Sequence, residues 1–346
     1  MLDETIKEIE KASIVIKNGG LVAFPTETVY GLGGDAFDPK AVANIYAAKG
    51  RPGDNPLILH IADPKRFNEL AFEPPEYAFK LIKKFWPGPL TLITNKKPEL
   101  PHWLGGHPTG NTKTVGVRMP NHPVALKLIK KSDRFIAAPS ANKAGKPSPT
   151  SATHVLEDYK NPQEAGIMIL DSGHVEVGLE STVVDVTGSN PRILRPGAIT
   201  QEMIEAATGL HVIDSHLLSS DAPRAPGMKY RHYAPKAPMT LISGAEENFK
   251  RFISRVIDEA NEKNQRLGLI LSVDTNFKHI GLENFKIHTY DESDLKTLAK
   301  NLFKYLRDFD KFDADIIYVK AVKEEGLGIA IMDRMKKAAE GRVINV

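Results

Sequence analysis

The chain has 346 residues, 41% hydrophobic and 26% charged, with 46 Lys and Arg against 43 Asp and Glu. A net charge of +3 excludes a polyelectrolyte and a generally basic nucleic-acid coat, while leaving room for a local basic patch. The absence of cysteine excludes disulfide frameworks, Cys-ligated zinc, iron–sulfur clusters and thiol nucleophiles, and fits a reducing compartment. The length suits two domains. No apolar run approaches the roughly 20 residues that span a bilayer, and the first helical stretch carries acids and lysines throughout, unlike a signal peptide. The expectation is a soluble, cytoplasmic, two-domain protein.

In chain order, residues 4–17 read as an amphipathic helix ended by Asn18-Gly-Gly20. Residues 21–24 form a short strand stopped by Pro25, and 39–49 a helix with proline in its first turn. A strand over 57–61 and a helix over 76–85 follow, then strands over 90–94 and 114–118, a helix over 123–131, and strands over 135–138, 167–171, 181–185 and 192–195. A helix near 201–208 completes this part. Of 24 prolines, 23 lie at or before Pro235, so the first part is rich in fixed turns and the last hundred or so residues are regular. There, strands over 239–243, 267–272 and 316–320 alternate with helices near 246–263, 293–309 and 329–339, the rhythm of a small parallel α/β sheet. No GxGxxG follows its first strand, which argues against dinucleotide binding. The predicted fold is α/β: a twisted mixed-sheet domain with a concave site over 1–220, a linker over 221–238, and a smaller Rossmann-like domain over 239–346.

Five stretches carry polar chemistry at strand ends. Phe24-Pro-Thr-Glu-Thr-Val-Tyr-Gly-Leu-Gly-Gly34 joins hydroxyls and one acid to glycines that let a ligand approach the backbone, although an ordinary strand–turn reads the same way. Lys49-Gly-Arg-Pro-Gly-Asp-Asn-Pro-Leu-Ile-Leu-His60 presents two cations at a helix end, which suits an anion and equally suits the helix dipole alone. His60 on a strand is by itself more often structural. Lys113-Thr-Val-Gly-Val-Arg118 delivers a base at a strand end; Ala137-Ala-Pro-Ser-Ala-Asn-Lys-Ala-Gly-Lys-Pro-Ser148 breaks a strand into a small-residue loop; Gly178-Leu-Glu-Ser-Thr-Val-Val-Asp185 is followed by Arg192-Ile-Leu-Arg-Pro-Gly197. Hydroxyls, amides and cations at five strand ends suggest one concave site for a polyphosphate and a small carboxylate. Neither a Ser-His-Asp set nor HExxH spacing is present.

Together these stretches resemble the threonylcarbamoyl-AMP synthases in their longer form, with a YrdC-like catalytic domain. The marks are Pro25-Thr-Glu-Thr-Val-Tyr-Gly-Leu-Gly33, Lys49-Gly-Arg-Pro with Asn55-Pro-Leu, Pro139-Ser-Ala-Asn142, Glu180-Ser-Thr-Val, Arg195-Pro-Gly and the linker string Pro226-Gly-Met-Lys-Tyr-Arg-His-Tyr-Ala-Pro235. The loop over 105–112 departs from the family pattern, whereas Thr114 to Arg118 match it. The resemblance implies a nucleotidyltransferase that joins L-threonine, bicarbonate or carbon dioxide and ATP into L-threonylcarbamoyladenylate with release of pyrophosphate, the first step of a tRNA threonylcarbamoyladenosine modification.

By the same resemblance, Thr28, Tyr30, His60, Arg118, Ala138 and Ser181 would form the threonine pocket, with Arg118 on the carboxylate. Lys49, Arg51, Asn55, Thr114, Ser140, Asn142, Ser148 and Arg195 would line the ATP site, Lys49 and Arg51 doubling as charge-stabilising groups. Tyr233 or Tyr230 would reach the nucleotide as the linker folds over the site, excluding water from a hydrolysis-prone adenylate. Mg²⁺ would arrive with ATP, with no protein-held metal or organic cofactor. Downstream transferase proteins would receive the adenylate, a basic surface would be open to tRNA or double-stranded RNA, and the expected state is a monomer.

Two other classes compete. An RNA-binding module could use Lys49, Arg51, Lys143 and Lys146, but it would not need hydroxyl-rich strand ends and a lid. A carbamoyl-transfer protein of the hydrogenase-maturation type shares a related domain, yet needs Cys-rich zinc modules that a cysteine-free chain cannot supply.

Overall fold

Helix α1 (Leu2–Lys17) turns Ile9, Ala12 and Ile16 inward and ends at Gly19, which adopts φ 77°. The chain continues through β1 (Leu21–Phe24), β2 (Gly31–Asp35), α2 (Pro39–Lys49), β3 (Ile58–His60), α3 (Phe67–Leu70), α4 (Glu76–Phe85), β4 (Leu90–Asn95) and β5 (Thr114–Arg118). Next come α5 (Pro123–Ser132), β6 (Ile136–Ala137), α6 (Ala152–Asp158), β7 (Ile167–Ile169), β8 (Thr182–Asp185), β9 (Arg192–Arg195), α7 (Gln201–Thr208) and β10 (Ile213–Asp214). Local chemistry sets the ends. Asp38 caps α2 by accepting from Lys40 N, Pro39 opens it, and Gly50 closes it in the left-handed region. This computed structural model describes residues 2–162, 165–214, 233–273 and 282–346. The chain divides into two compact units, Met1–Ala144 with Ser148–Lys229, and Gly145–Pro147 with Tyr230–Val346. Residues 221–232 of the expected linker, Tyr230 among them, lie outside the described residues.

The first unit is one mixed sheet in the order β10-β9-β8-β4-β5-β3-β6-β2-β1-β7. Because side chains alternate along a strand, registered neighbours share a face. One face is apolar across the sheet: Leu21, Ala23, Leu32, Leu59, Val117, Leu92 and Val184 all join one core with α2 and α4. On the other face, Val22, Phe24, Ile136 and Ala138 are covered by α1 and α5. Over β4 and β8 that second face carries only a small cluster of Ile93, Val183 and Leu194.

Strand β2 differs from the sequence reading, in which Gly31-Leu-Gly-Gly-Asp35 is part of a turn, since glycine is depleted from strands. Crowding explains it: a Cβ on Gly33 would lie 2.6 Å from Ile136 Cγ2 and 2.7 Å from Phe24 Cε1. The short elements α3, α6 and β10 are also additional to the sequence reading.

The second unit runs β11 (Met239–Ser243), α8 (Glu246–Glu262), β12 (Leu267–Ser272), β13 (Phe285–Tyr290), α9 (Leu295–Lys311), β14 (Ile316–Lys320), α10 (Leu327–Ala338) and β15 (Val343–Asn345). Its five strands are all parallel, in the order β13-β12-β14-β11-β15. This is the Rossmann-like alternation expected, with two more strands than the three predicted. Lys286, His288 and Thr289 interrupt the apolar pattern of β13, and β15 is three exposed residues at the edge. Among the described residues, no helix is long and apolar enough to cross a membrane.

Candidate active site

Strand register assembles the centre of the site. His60 on β3 pairs with Arg118 on β5, Arg118 with Thr91 on β4, and Thr91 with Val183 on β8. The side chains of His60, Arg118 and Thr91 therefore stand in one cross-strand row, on the face that α1 and α5 cover only at the other end of the sheet. Thr114 lies on the same face of β5, and between it and Arg118 stands Gly116, which adds no side chain to that face.

Beside this row, Thr28 is fully buried. Its hydroxyl lies 2.9 Å from that of Thr26, which in turn donates to Val29 O at 2.6 Å. The backbone fastens this loop on two sides. Ala141 N donates to Tyr30 O and Leu32 N to Pro139 O; Val177 N and Gly178 N donate to the carbonyls of Glu27 and Thr28. The loop thus gathers the Pro139-Ser-Ala-Asn142 and Gly178-Leu-Glu-Ser181 stretches around itself. Ser140 Oγ donates to Asn142 Oδ1 within the first stretch, and Ser148 Oγ, six residues further on, to Glu180 Oε1 of the second, both at 2.6 Å. Ser181 Oγ lies 2.8 Å from Thr91 Oγ1, and Arg195 grips Ser181 O through Nε at 3.1 Å and Nη2 at 2.9 Å. Gly197 is required here, because a Cβ would sit 2.4 Å from Thr182 N.

Several expected ligand residues brace the site itself. Buried Lys49 directs its ammonium at the carbonyls of Ser140 and Asn142. Burial, and then the charge of Arg51, hold that ammonium well below the ordinary lysine pKa. Arg51 clasps its own turn, with Nε on Asn55 O at 3.0 Å and Nη2 on Asn55 Oδ1 at 2.7 Å. Tyr30 OH donates to Gly173 O at 2.8 Å and accepts from Ser172 N at 3.1 Å, so its hydroxyl ties down the 171–173 loop, and burial pushes its pKa up. Ala138 donates its N–H to Ile58 O at the end of β6. The 105–112 loop is stitched in through Gly105 O, which accepts from Leu57 N, while His107 packs edge-on against Tyr46. Tyr233 belongs to the second unit, where its ring stacks on Phe303 with Arg334 over it.

His60 is buried, its Nδ1 has no hydrogen-bond partner among the described residues, and burial, then the charge of Arg118, push its imidazole down to about 3, so it is neutral. Arg118 Nη2 lies 2.8 Å from Glu27 Oε1. Sequence reading gives no role to Glu27, Thr91 or Glu180. Their signals were present: a lone acid in a hydroxyl loop, a threonine inside an apolar strand, and an acid beside Ser181.

A mixed sheet with a hydroxyl- and cation-bearing face, followed by a parallel α/β unit, is the α/β architecture expected from the sequence. A family model described as telomere recombination, covering Sua5, YciO and YrdC, matches residues 14–197. A second, described as threonylcarbamoyl-AMP synthase, C-terminal domain, matches residues 199–340. The threonylcarbamoyl-AMP synthase of Pyrococcus abyssi is 46% identical over 99% of this chain and 98% of its own length. That of Bacillus subtilis is 43% identical over 97% and 94%. A crystal structure of Pyrococcus abyssi Sua5 complexed with L-threonine superposes with a TM-score of 0.87 at 45% identity, covering 98% of this chain and 96% of that one. The chain belongs to the threonylcarbamoyl-AMP synthase family.

Proposed function

We propose that this protein is a nucleotidyltransferase that makes L-threonylcarbamoyladenylate from L-threonine, bicarbonate or carbon dioxide, and ATP, releasing pyrophosphate. The observation that carries this reading is the row His60–Arg118–Thr91. Its charged and polar groups are buried, and His60 Nδ1 and Arg118 Nε have no hydrogen-bond partner among the described residues. Such unmet capacity suits a small polar ligand. The near-full-length match to two synthases supports the same reading.

In this reaction the threonine amine captures carbon dioxide as a carbamate. A carbamate oxygen then attacks the α-phosphate, and pyrophosphate leaves with the electrons of the broken P–O bond. Such a step needs positioning and charge neutralisation more than a protein nucleophile. In our reading Arg118 takes the threonine carboxylate, with Thr28, Ala138, Ser181 and neutral His60 around it. Arg51, Asn55, Thr114, Ser140, Asn142, Ser148 and Arg195 face the nucleotide. Lys49 acts by holding the backbone of residues 140–142, and Tyr30 by holding the 171–173 loop. Mg²⁺ enters as part of the nucleotide substrate, coordinated by its phosphates. The domain limits 1–220 and 239–346, a linker lid over 221–238 with Tyr230 or Tyr233 at the nucleotide, cytoplasmic residence, a monomeric state, tRNA contact, and transfer of the product to separate transferases complete the proposal.

The test is pyrophosphate release by purified protein with ATP and Mg²⁺, omitting threonine and bicarbonate in turn. Release that needs both, with the adenylate seen by mass spectrometry, is the expected result. No release from folded protein that still binds tRNA in a strongly salt-dependent way would replace the synthase by an RNA-binding module.

A further inference from the structure

Glu27 is the one charged residue in the Thr26–Gly31 stretch, and the substrate contacts proposed above leave it out. It is 3% exposed. Its Oε1 lies 2.8 Å from Arg118 Nη2, an ion pair between two buried side chains. Neither Glu27 oxygen receives a directed hydrogen bond from a described residue, and Arg118 Nε and Nη2 donate none. The backbone that carries it is held in place, since Glu27 O accepts from Val177 N and the next carbonyl from Gly178 N. Arg118 balances the charge from the Oε1 side, which leaves Oε2, buried and without a hydrogen-bond donor among the described residues, as the unmet acceptor. An ionised carboxylate is an acceptor only, so the missing partner is a donor, and a cationic one makes the stronger bond.

We propose that Glu27 receives the α-ammonium of the substrate amino acid, so that Arg118 and Glu27 form a two-pronged clamp for a zwitterion. An α-amino acid carries opposite charges one carbon apart, and a clamp for it must offer the complementary charges side by side, as this pair does. Arg118 alone would accept any small carboxylate; Glu27 restricts the pocket to carboxylates with a neighbouring amine. It also fixes the nitrogen that becomes the carbamate. This inference rests on the synthase reading and deepens it by assigning the group that takes the amine.

The test compares binding of L-threonine and of its amine-free analogue 2,3-dihydroxybutyrate by calorimetry, in the wild-type chain and in Glu27→Gln. Threonine should bind the variant about 10- to 100-fold more weakly, the scale of a lost charge-assisted hydrogen bond, while the analogue changes little. In turnover, KM for threonine should rise and KM for ATP stay level. Equal weakening of both ligands would mean that Glu27 merely props Arg118, and would overturn the proposal. Absence of threonine binding to the wild-type chain is a different result, which overturns the synthase reading and this inference with it. Should Glu27→Gln fail to fold, Glu27→Asp carries the same comparison: the withdrawn carboxylate should weaken threonine more than the analogue, and equal losses refute the assignment.

Discussion

Replacing Gly197 by alanine tests whether the Arg195-Pro-Gly turn must lie against β8. The new methyl would sit 2.4 Å from Thr182 N, 2.8 Å from the carbonyl carbon of Ser181 and 2.8 Å from Thr182 Oγ1. Two of the three are backbone atoms, so no rotamer change relieves the clash, and the turn and strand must separate by about 1 Å to restore ordinary contact. That separation strains the couple in which Thr182 Oγ1 donates to Ile199 O at 2.7 Å and accepts from Ile199 N at 3.0 Å. Overpacking of this kind costs about 3 kcal/mol, at the upper end of the usual range. For a unit of this size that corresponds to a Tm lower by about 6–12 °C. Ser181 moves with the strand, so KM for threonine should rise as well. Circular dichroism melts and initial rates at varied threonine make the check. A Tm within about 1 °C of wild type, with KM unchanged, would show that the close approach constrains nothing.

Thr182→Val removes both Ile199 bonds and leaves a buried N–H and C=O unpaired, a loss of about 2–3 kcal/mol in urea unfolding, whereas Thr182→Ser should stay near wild type. Burial, and then the charge of Arg118, push the His60 imidazole down to about 3, against 6.5 for an ordinary histidine. Between those values the unfolded chain binds a proton that the fold excludes, so stability falls as pH falls, by about 1.4 kcal/mol per unit. His60→Asn should flatten the urea-midpoint profile between about pH 6 and about pH 4, and an unchanged slope would refute a buried neutral imidazole. Arg51→Ala should raise KM for ATP about 30- to 150-fold, matching the loss of roughly 2–3 kcal/mol for a charge-assisted contact. Normal turnover at limiting ATP would remove Arg51 from the nucleotide site.

Most helices and several strands were legible because they are local. The helix over 39–49 carries its own cap, proline start and glycine stop, and the strands over 21–24, 114–118 and 192–195 appear at their predicted limits. Strand β2 was not, because propensity counts five residues with three glycines as a turn. Only the proximity of Phe24 and Ile136 shows why side chains are barred there. Strand β13 was hidden for the opposite reason: as an edge strand it tolerates Lys286, His288 and Thr289, which break the apolar run that marks a buried strand.

The sequence by itself determined the chemistry on offer: hydroxyls, amides and cations at five strand ends, with neither thiol nor metal-ligand spacing, in an order that already points to the family. It could not determine which of those groups act on a ligand. Lys49 and Arg51 look alike as cations at a helix end, yet Lys49 is turned onto the carbonyls of 140 and 142 and Arg51 onto Asn55. His60, Thr91 and Arg118 are dozens of residues apart and become neighbours only because β3, β5 and β4 pair in that order. Register is set by non-local hydrogen bonding, and a slip of one residue would turn that whole row to the other face. The encounter of Glu27 with Arg118 is likewise a product of tertiary structure, since a loop and a distant strand end must both be buried before their charges can meet.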